Sequence, residues 1–259
     1  MQTNRLLAKL TDPDEETRVA ALEELALRMD DEIAQALLDI AESDATHEVR
    51  TDAIVALGPV IEQCGMEYDD EAEFDFGPEL GPPVSRDTFS SIVRHVRGLY
   101  DDETQPTLIR RRAFEVLVRD PQPWLSKEIR KHVASADPDW RLTAVFAMGY
   151  VKGFEREIAD TVRTAEGALL LEAVIAAGNM SVSGAASRIR KLATSREEDL
   201  DLRLAAIEAL PHLDPDCFDL LDELTRARKR EIAEAAEYAL EELEIFADPG
   251  DDELEDEDE

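Results

Sequence analysis

Glu48-Val49-Arg50-Thr51-Asp52-Ala53-Ile54-Val55-Ala56-Leu57-Gly58 contains a phrase, Arg-x-x-Ala-x-x-x-Leu, that returns along the chain. It recurs as Arg18/Ala21/Leu25, Arg110/Ala113/Leu117, Arg141/Ala144/Met148 and Arg203/Ala206/Leu210. Two further copies keep the small and apolar positions, Ala173/Ala177 and Ala236/Leu240, but carry Leu170 and Ala233 in place of the arginine. Successive anchors lie 32, 60, 31, 29, 33 and 30 residues apart. A nearly constant period of this length predicts a stack of similar units rather than a globule around one central core.

Each unit reads as two helices. In the first, Leu6, Leu7 and Leu10 form a short apolar stretch that ends at Asp12-Pro13-Asp14, and Val19, Leu22, Leu25 and Ala26 then recur at helical spacing. Proline stops the first helix and the aspartate after it can cap the second. The same grammar returns at Asp137-Pro138-Asp139, and more loosely at Ser43-Asp44 and Asp199. Alanine and leucine at fixed places give the second helix a narrow seam where a neighbour can come close. Neither helix can bury its stripe alone, so neighbours must stack.

These residues resemble HEAT repeats, and among them the short variety also found in phycobilisome-lyase-like proteins, whose phrase is Asp, a short spacer and Val-Arg-x-x-Ala-x-x-Ala-Leu-Gly. Glu48 to Gly58 is the best match. The resemblance runs over residues 3 to 246 with one interruption. It implies an all-α, right-handed α-solenoid of about seven HEAT-like helix pairs. It also implies a non-enzymatic scaffold that binds a protein partner, with the second helices lining the concave face.

Composition fits a single array over 1–246 followed by an acidic tail at 247–259. The apolar share, 44%, suffices for a continuous core, and no apolar run approaches the roughly 20 residues of a membrane span. Met1-Gln2-Thr3-Asn4-Arg5 lacks the apolar segment of a signal peptide, so the expected compartment is the cytoplasm. Cys64 and Cys217 fall in different repeats and read as reduced thiols. The net charge is −33, with 61 acidic residues against 28 basic ones. Lysine is the rarer cation, and the balance resembles a salt-in halophile proteome, where high ionic strength screens the repulsion.

Two segments fall outside the repeat pattern. The 60-residue step from Arg50 to Arg110 holds a surplus near residues 64–87, where acids interleave with Tyr68, Phe74 and Phe76. This insertion is expected either to bind or to fold back. The tail from Asp248 has nine acids in its last twelve residues and is expected to be disordered. Between them, Arg86 to Ser135 carries ten Lys/Arg against seven Asp/Glu, while the remainder carries eighteen against fifty-four. That stretch is where an anionic group would be held, unless its arginines serve the repeat joints and balance local acids.

Helical registration gives two rows of outward positions on the second helices. At 100° per residue, Arg141, Ala144, Val145 and Met148 cluster on one side, while Thr143, Ala147 and Tyr150 face away. Transferred to the other copies, one row runs Asp52, Arg112, Thr143, Glu172, Ala205 and the other Pro59, Arg119, Tyr150, Asn179, His212. Arg, Tyr, Asn and His are versatile recognition residues. Trp140 either adds an aromatic contact or packs against the preceding helix near Trp124. The expected partner-binding patch is therefore Arg112, Arg119, Trp140, Tyr150, Glu172, Asn179 and His212.

No catalytic residue, cofactor site or metal site is read from the sequence. His47, His95, His132 and His212 sit in separate repeats, without a second His or Cys at metal-ligand spacing. No phosphate-binding glycine loop or nucleophile elbow is present. The HEAT resemblance also raises an alkyl-base DNA glycosylase reading, because such enzymes use Trp, Tyr, Asp and Arg on a basic face. Phosphate binding needs a continuous cationic track, which this acidic chain lacks outside its middle. Nucleic acid and membrane are thus not the expected partners. A bilin-lyase-like role follows from the repeat subtype alone.

Overall fold

The computed structural model describes residues 2–44, 46–68 and 82–247, apart from the side chains of Glu67, Tyr68, Glu244, Phe246 and Ala247. The described residues form helices joined by short connections, without strands, in the solenoid manner of successive helix pairs. They divide into two compact units, residues 1–128 and 129–259.

In the first unit, α1 (Gln2–Lys9), α2 (Glu15–Ala26), α3 (Asp31–Ser43), α4 (His47–Ala56), α5 (Gly58–Tyr68), α6 (Arg86–Asp101) and α7 (Thr107–Leu117) follow one another, and α8 (Leu125–Val133) begins. The second helices α2, α4 and α7 pack in series, and α6 lies against both α3 and α7. The expected breaks are present. Asp14 accepts the Thr17 amide at 3.0 Å and so caps α2, while Asp12 takes the Asp14 amide at 2.9 Å.

The surplus predicted at residues 64–87 begins inside a helix. Cys64 is fully buried on α5, and Gly65 stands so close to Asp120 that an added Cβ would meet its carboxylate at 2.9 Å. Residues 69–81, including Phe74 and Phe76, lie outside the described residues, as does the acidic tail from Asp248. The chain is described again from Pro82, buries Val84, and enters α6 at Ser85, whose amide donates to Asp31 Oδ1 at 2.7 Å.

In the second unit, the end of α8 is followed by α9 (Pro138–Met148), α10 (Glu155–Thr164), α11 (Gly167–Asn179), a short 3₁₀ turn (Ser183–Ala185), α12 (Ala186–Thr194), α13 (Leu200–Leu213), α14 (Phe218–Leu224) and α15 (Arg230–Ala247). Here α9, α11, α13 and α15 form the series of second helices. They approach closely because small residues face one another. A Cβ on Gly149 would sit 3.2 Å from the Ala176 backbone, and one on Gly178 would sit 3.1 Å from Ala209 Cβ. Ala147, Ala176, Ala209 and Ala239, each six residues after its anchor, are all buried along this seam.

Thr143 and Ala147, placed facing outward by registration, are fully buried, and Ala205 is nearly so. A second helix in a stack is covered by its own first helix and by the second helices before and after it. Only a narrow strip is left to solvent.

Candidate functional site

The phrase arginines hold the joints. Arg50 Nε donates to the Ala41 carbonyl at 2.7 Å, Arg110 Nε to Tyr100 at 3.0 Å, Arg141 Nη1 to Ser135 at 2.9 Å and Arg203 Nε to Ala193 at 3.4 Å. Each reaches back to backbone carbonyls at or just beyond the end of its own repeat's first helix, where helical partners have run out. Arg18 and Arg50 also reach forward. Arg18 grips Asp44 and Thr46 in the next connection, and Arg50 Nη2 reaches Gln105 Oε1 at 2.9 Å. Arg18 and Arg50 are buried, so these guanidinia are part of the framework.

Of the seven expected site residues, Arg112 and Arg119 lie in the first unit. Arg112 Nη1 meets Glu115 Oε2 at 2.5 Å, and Arg119 Nη1 meets Glu62 Oε2 at 2.7 Å, with the Arg119 stem lying over Gly58. Both are half-exposed cations answered by carboxylates. The middle of the chain likewise commits Arg97 to the face of Trp124, 3.4 Å from the ring centroid, within a cluster that includes Tyr100 and Phe114. Tyr100 donates to Glu128 Oε2 at 2.6 Å, and burial with that nearby carboxylate holds its phenol far above its ordinary range.

The other five lie in the second unit. Trp140 is only 8% exposed and stacks flat on His132, with ring centroids 3.9 Å apart and planes 6° from parallel. The preceding helix thus takes Trp140 inward, through a histidine at its end. Glu172 is half-buried on α11. Tyr150 rests against Phe146, with centroids 5.0 Å apart.

Asn179 and His212 are brought together. They line a groove of about 210 Å³ with Ile175, Glu208, Tyr238 and Glu242, across α11, α13 and α15. His212 Nε2 lies 3.7 Å from Glu242 Oε2. Burial and the Glu242 charge raise the Glu208 carboxyl above its ordinary value. Ile175 and Tyr238 are 40% and 58% exposed, so the groove offers apolar surface beside two carboxylates, an amide and an imidazole.

The groove has a simple register. Asn179, His212 and Glu242 each stand nine residues after their anchors; Ile175, Glu208 and Tyr238 stand five after. Registration found the first row and missed its last member, Glu242. It chose the residues two after the anchor instead of those five after. The alanines six after the anchor were the available signal, because a small-residue seam marks the side turned to a neighbour.

A larger cleft of about 640 Å³ opens between the N-terminal ends of α11 and α13, bordered by Glu166, Leu170, Arg188, Glu198, Asp199 and Asp201. It lies where the repeat arginine would stand, at Leu170. Among the described residues no group of three or more His, Cys, Asp or Glu could hold a metal ion. No helix among them is long and apolar enough to cross a membrane.

Comparison with known proteins agrees with the repeat reading in its N-terminal part. No curated protein matches the sequence. Solved structures that this chain is similar to include human deoxyhypusine hydroxylase in complex with glycerol, at 13% identity over 94% of this chain and 96% of that one, with a TM-score of 0.39. The E. coli protein YibA is 12% identical over 93% and 92% of the two chains, with a TM-score of 0.48. Importin beta is 15% identical over 95% of this chain and 29% of its own, with a TM-score of 0.32. Likenesses this distant say nothing about activity. The chain is an all-α protein of the solenoid class whose residues 3–67 match HEAT repeats.

Proposed function

We propose that this chain is a non-enzymatic scaffold that binds a protein partner through the second-helix face, and that it works in the cytoplasm at high ionic strength. HEAT repeats are generally protein-interaction scaffolds, which supports the general reading. The observation that carries the choice of face is the groove across α11, α13 and α15. Exposed Ile175 and Tyr238 stand beside Asn179, His212, Glu208 and Glu242, a mixture of apolar anchors and polar rim that suits a protein interface. Tyr150 and Phe146 carry the same two register positions onto α9. Arg112 and Arg119 belong to the proposed surface of the first unit as carboxylate-paired polar groups.

A photo-crosslinking side chain placed at Tyr238, and separately at exposed Phe218 outside the groove, tests the assignment in native lysate at high KCl. The reading expects one defined protein captured at position 238, not at 218, and lost in the Ile175→Arg, Asn179→Ala variant at unchanged melting temperature. Equal capture at both positions, or capture that survives the double substitution, overturns the choice of face.

A further inference from the structure

We infer that the cleft at the α11/α13 joint is a receptor for an arginine side chain supplied by a protein partner. In the joints formed by Arg18 and Arg50, the guanidinium lies between a backbone carbonyl of its own repeat and an acceptor in the following connection. Asp44 stands six residues before the next anchor, Arg50, and Gln105 five before Arg110. The corresponding residues before Arg203 are Glu197 and Glu198, and Glu198 lines the cleft, half-buried. Ala165, five residues before the anchor position as Pro13 is before Arg18 and Ala136 before Arg141, also lines the cleft. The joint therefore keeps the acceptors of its sister joints. What it lacks is the cation, because the anchor position is Leu170, whose shorter apolar side chain is buried at the floor.

Volume and chemistry agree on the occupant. The cleft of about 640 Å³ is the largest of the cavities described above, and it opens to solvent beside Glu166, Asp199 and Asp201, which are exposed. Arg188 on α12 borders it but is itself exposed, so it stands at the rim. A planar guanidinium can donate to a carboxylate and a carbonyl together while its methylenes lie on Leu170 and Leu202, as the stem of Arg18 does in a joint where only 10% of its side chain is exposed. A compact ammonium would satisfy fewer of these acceptors. The other missing arginine, at Ala233, falls in the last helix pair, with no following connection among the described residues.

This inference does not depend on the groove lined by Tyr238, and its test uses no partner. Acetyl-arginine methylamide is titrated into the full-length protein at constant ionic strength, and backbone amide shifts are followed by NMR. Acetyl-citrulline methylamide, the neutral isostere, is the control. The expected result is saturable shifts at Gly167, Leu170, Leu171, Leu200 and Leu202 with the arginine compound only. Leu170→Arg, which restores the repeat residue, weakens binding by about tenfold or more, because the protein's own guanidinium fills the cleft. Glu198→Gln weakens it as well and keeps the question open to test if Leu170→Arg fails to fold. Shifts that do not saturate, that citrulline reproduces, or that persist unchanged in either variant overturn the inference.

Discussion

Arg18 holds Asp44 with two parallel hydrogen bonds, Nε to Oδ2 at 2.9 Å and Nη2 to Oδ1 at 3.1 Å, across the joint between the first two repeats. The side chains are 10% and 6% exposed. Arg18 Nη1 also donates to the Asp12 carbonyl at 2.9 Å, so one guanidinium closes the end of its own repeat and fastens the next. Replacing Asp44 by alanine leaves this buried cation without its carboxylate and should cost about 2–4 kcal/mol. Arg230→Ala, which removes a pair whose arginine is 86% exposed, should change stability by less than about 0.5 kcal/mol. Denaturant unfolding of both variants checks the contrast, and equal losses would refute the framework role.

Close approach of the second helices makes a second prediction. Alanine at Gly178 gains helix propensity worth up to about 1 kcal/mol, but its Cβ would lie 3.1 Å from Ala209 Cβ and 3.3 Å from Ala209 Cα. Backbone atoms cannot step aside as a flexible side chain can. Overpacking of this kind costs about 1–3 kcal/mol and should win. Gly98→Ala on α6 meets no atom within 4 Å and should stabilise. Adding Ala209→Gly to Gly178→Ala should recover part of the loss; melting temperatures of the four proteins decide it.

The groove carboxylates give a pH dependence of known sign. Glu208 is raised above its ordinary value, first by burial and then by Glu242. The folded state therefore binds its proton more readily than the unfolded chain does. Stability from this group is greatest at low pH and declines as pH rises from the ordinary glutamate range through the raised value. Glu208→Gln should remove that part of the decline and raise the melting temperature near neutrality by on the order of 1 °C. Asp14 and Asp31, lowered by hydrogen bonds, act with the opposite sign in both proteins, so the difference between wild type and variant is the quantity to follow. A difference that is flat between pH 4 and pH 7 would contradict the coupling.

Net charge sets the last expectation. At −33 the folded chain repels itself, and screening lengths of about 10 Å at 0.1 M salt fall to about 3 Å at 1 M. Melting temperature should therefore rise steeply with KCl over that range. Sodium sulfate at matched ionic strength separates screening from exclusion of salt from the surface. A melting point that does not move with KCl would show that the acidic surface needs no screening.

Much of the architecture is present in the order of the residues. The recurring Arg-x-x-Ala-x-x-x-Leu phrase and the Asp-Pro breaks place the helix pairs, because apolar periodicity and capping are local properties that each segment carries with it. Asp14 caps α2 as the sequence says, whereas α9 is capped by Asp137, before the proline rather than after it, because Pro138 itself takes the first helical position. The buried alanines of the phrase follow for the same reason, since every copy must hide its stripe against a neighbour.

Tertiary structure decided the rest. Positions two and five after each anchor lie about 30° to either side of the direction opposite the buried stripe, so a single helix cannot distinguish them. Neighbouring helices do. The alanine seam turns Thr143 and Ala205 inward and leaves Ile175, Glu208 and Tyr238 in the groove with Asn179, His212 and Glu242. Trp140 looked equally able to face a partner or the preceding helix until His132 supplied a flat surface for it. Leu170 appears in the sequence as a lapse in a pattern; only the joint shows that the acceptors remain around a space, because a cavity belongs to several segments at once and is written in none of them.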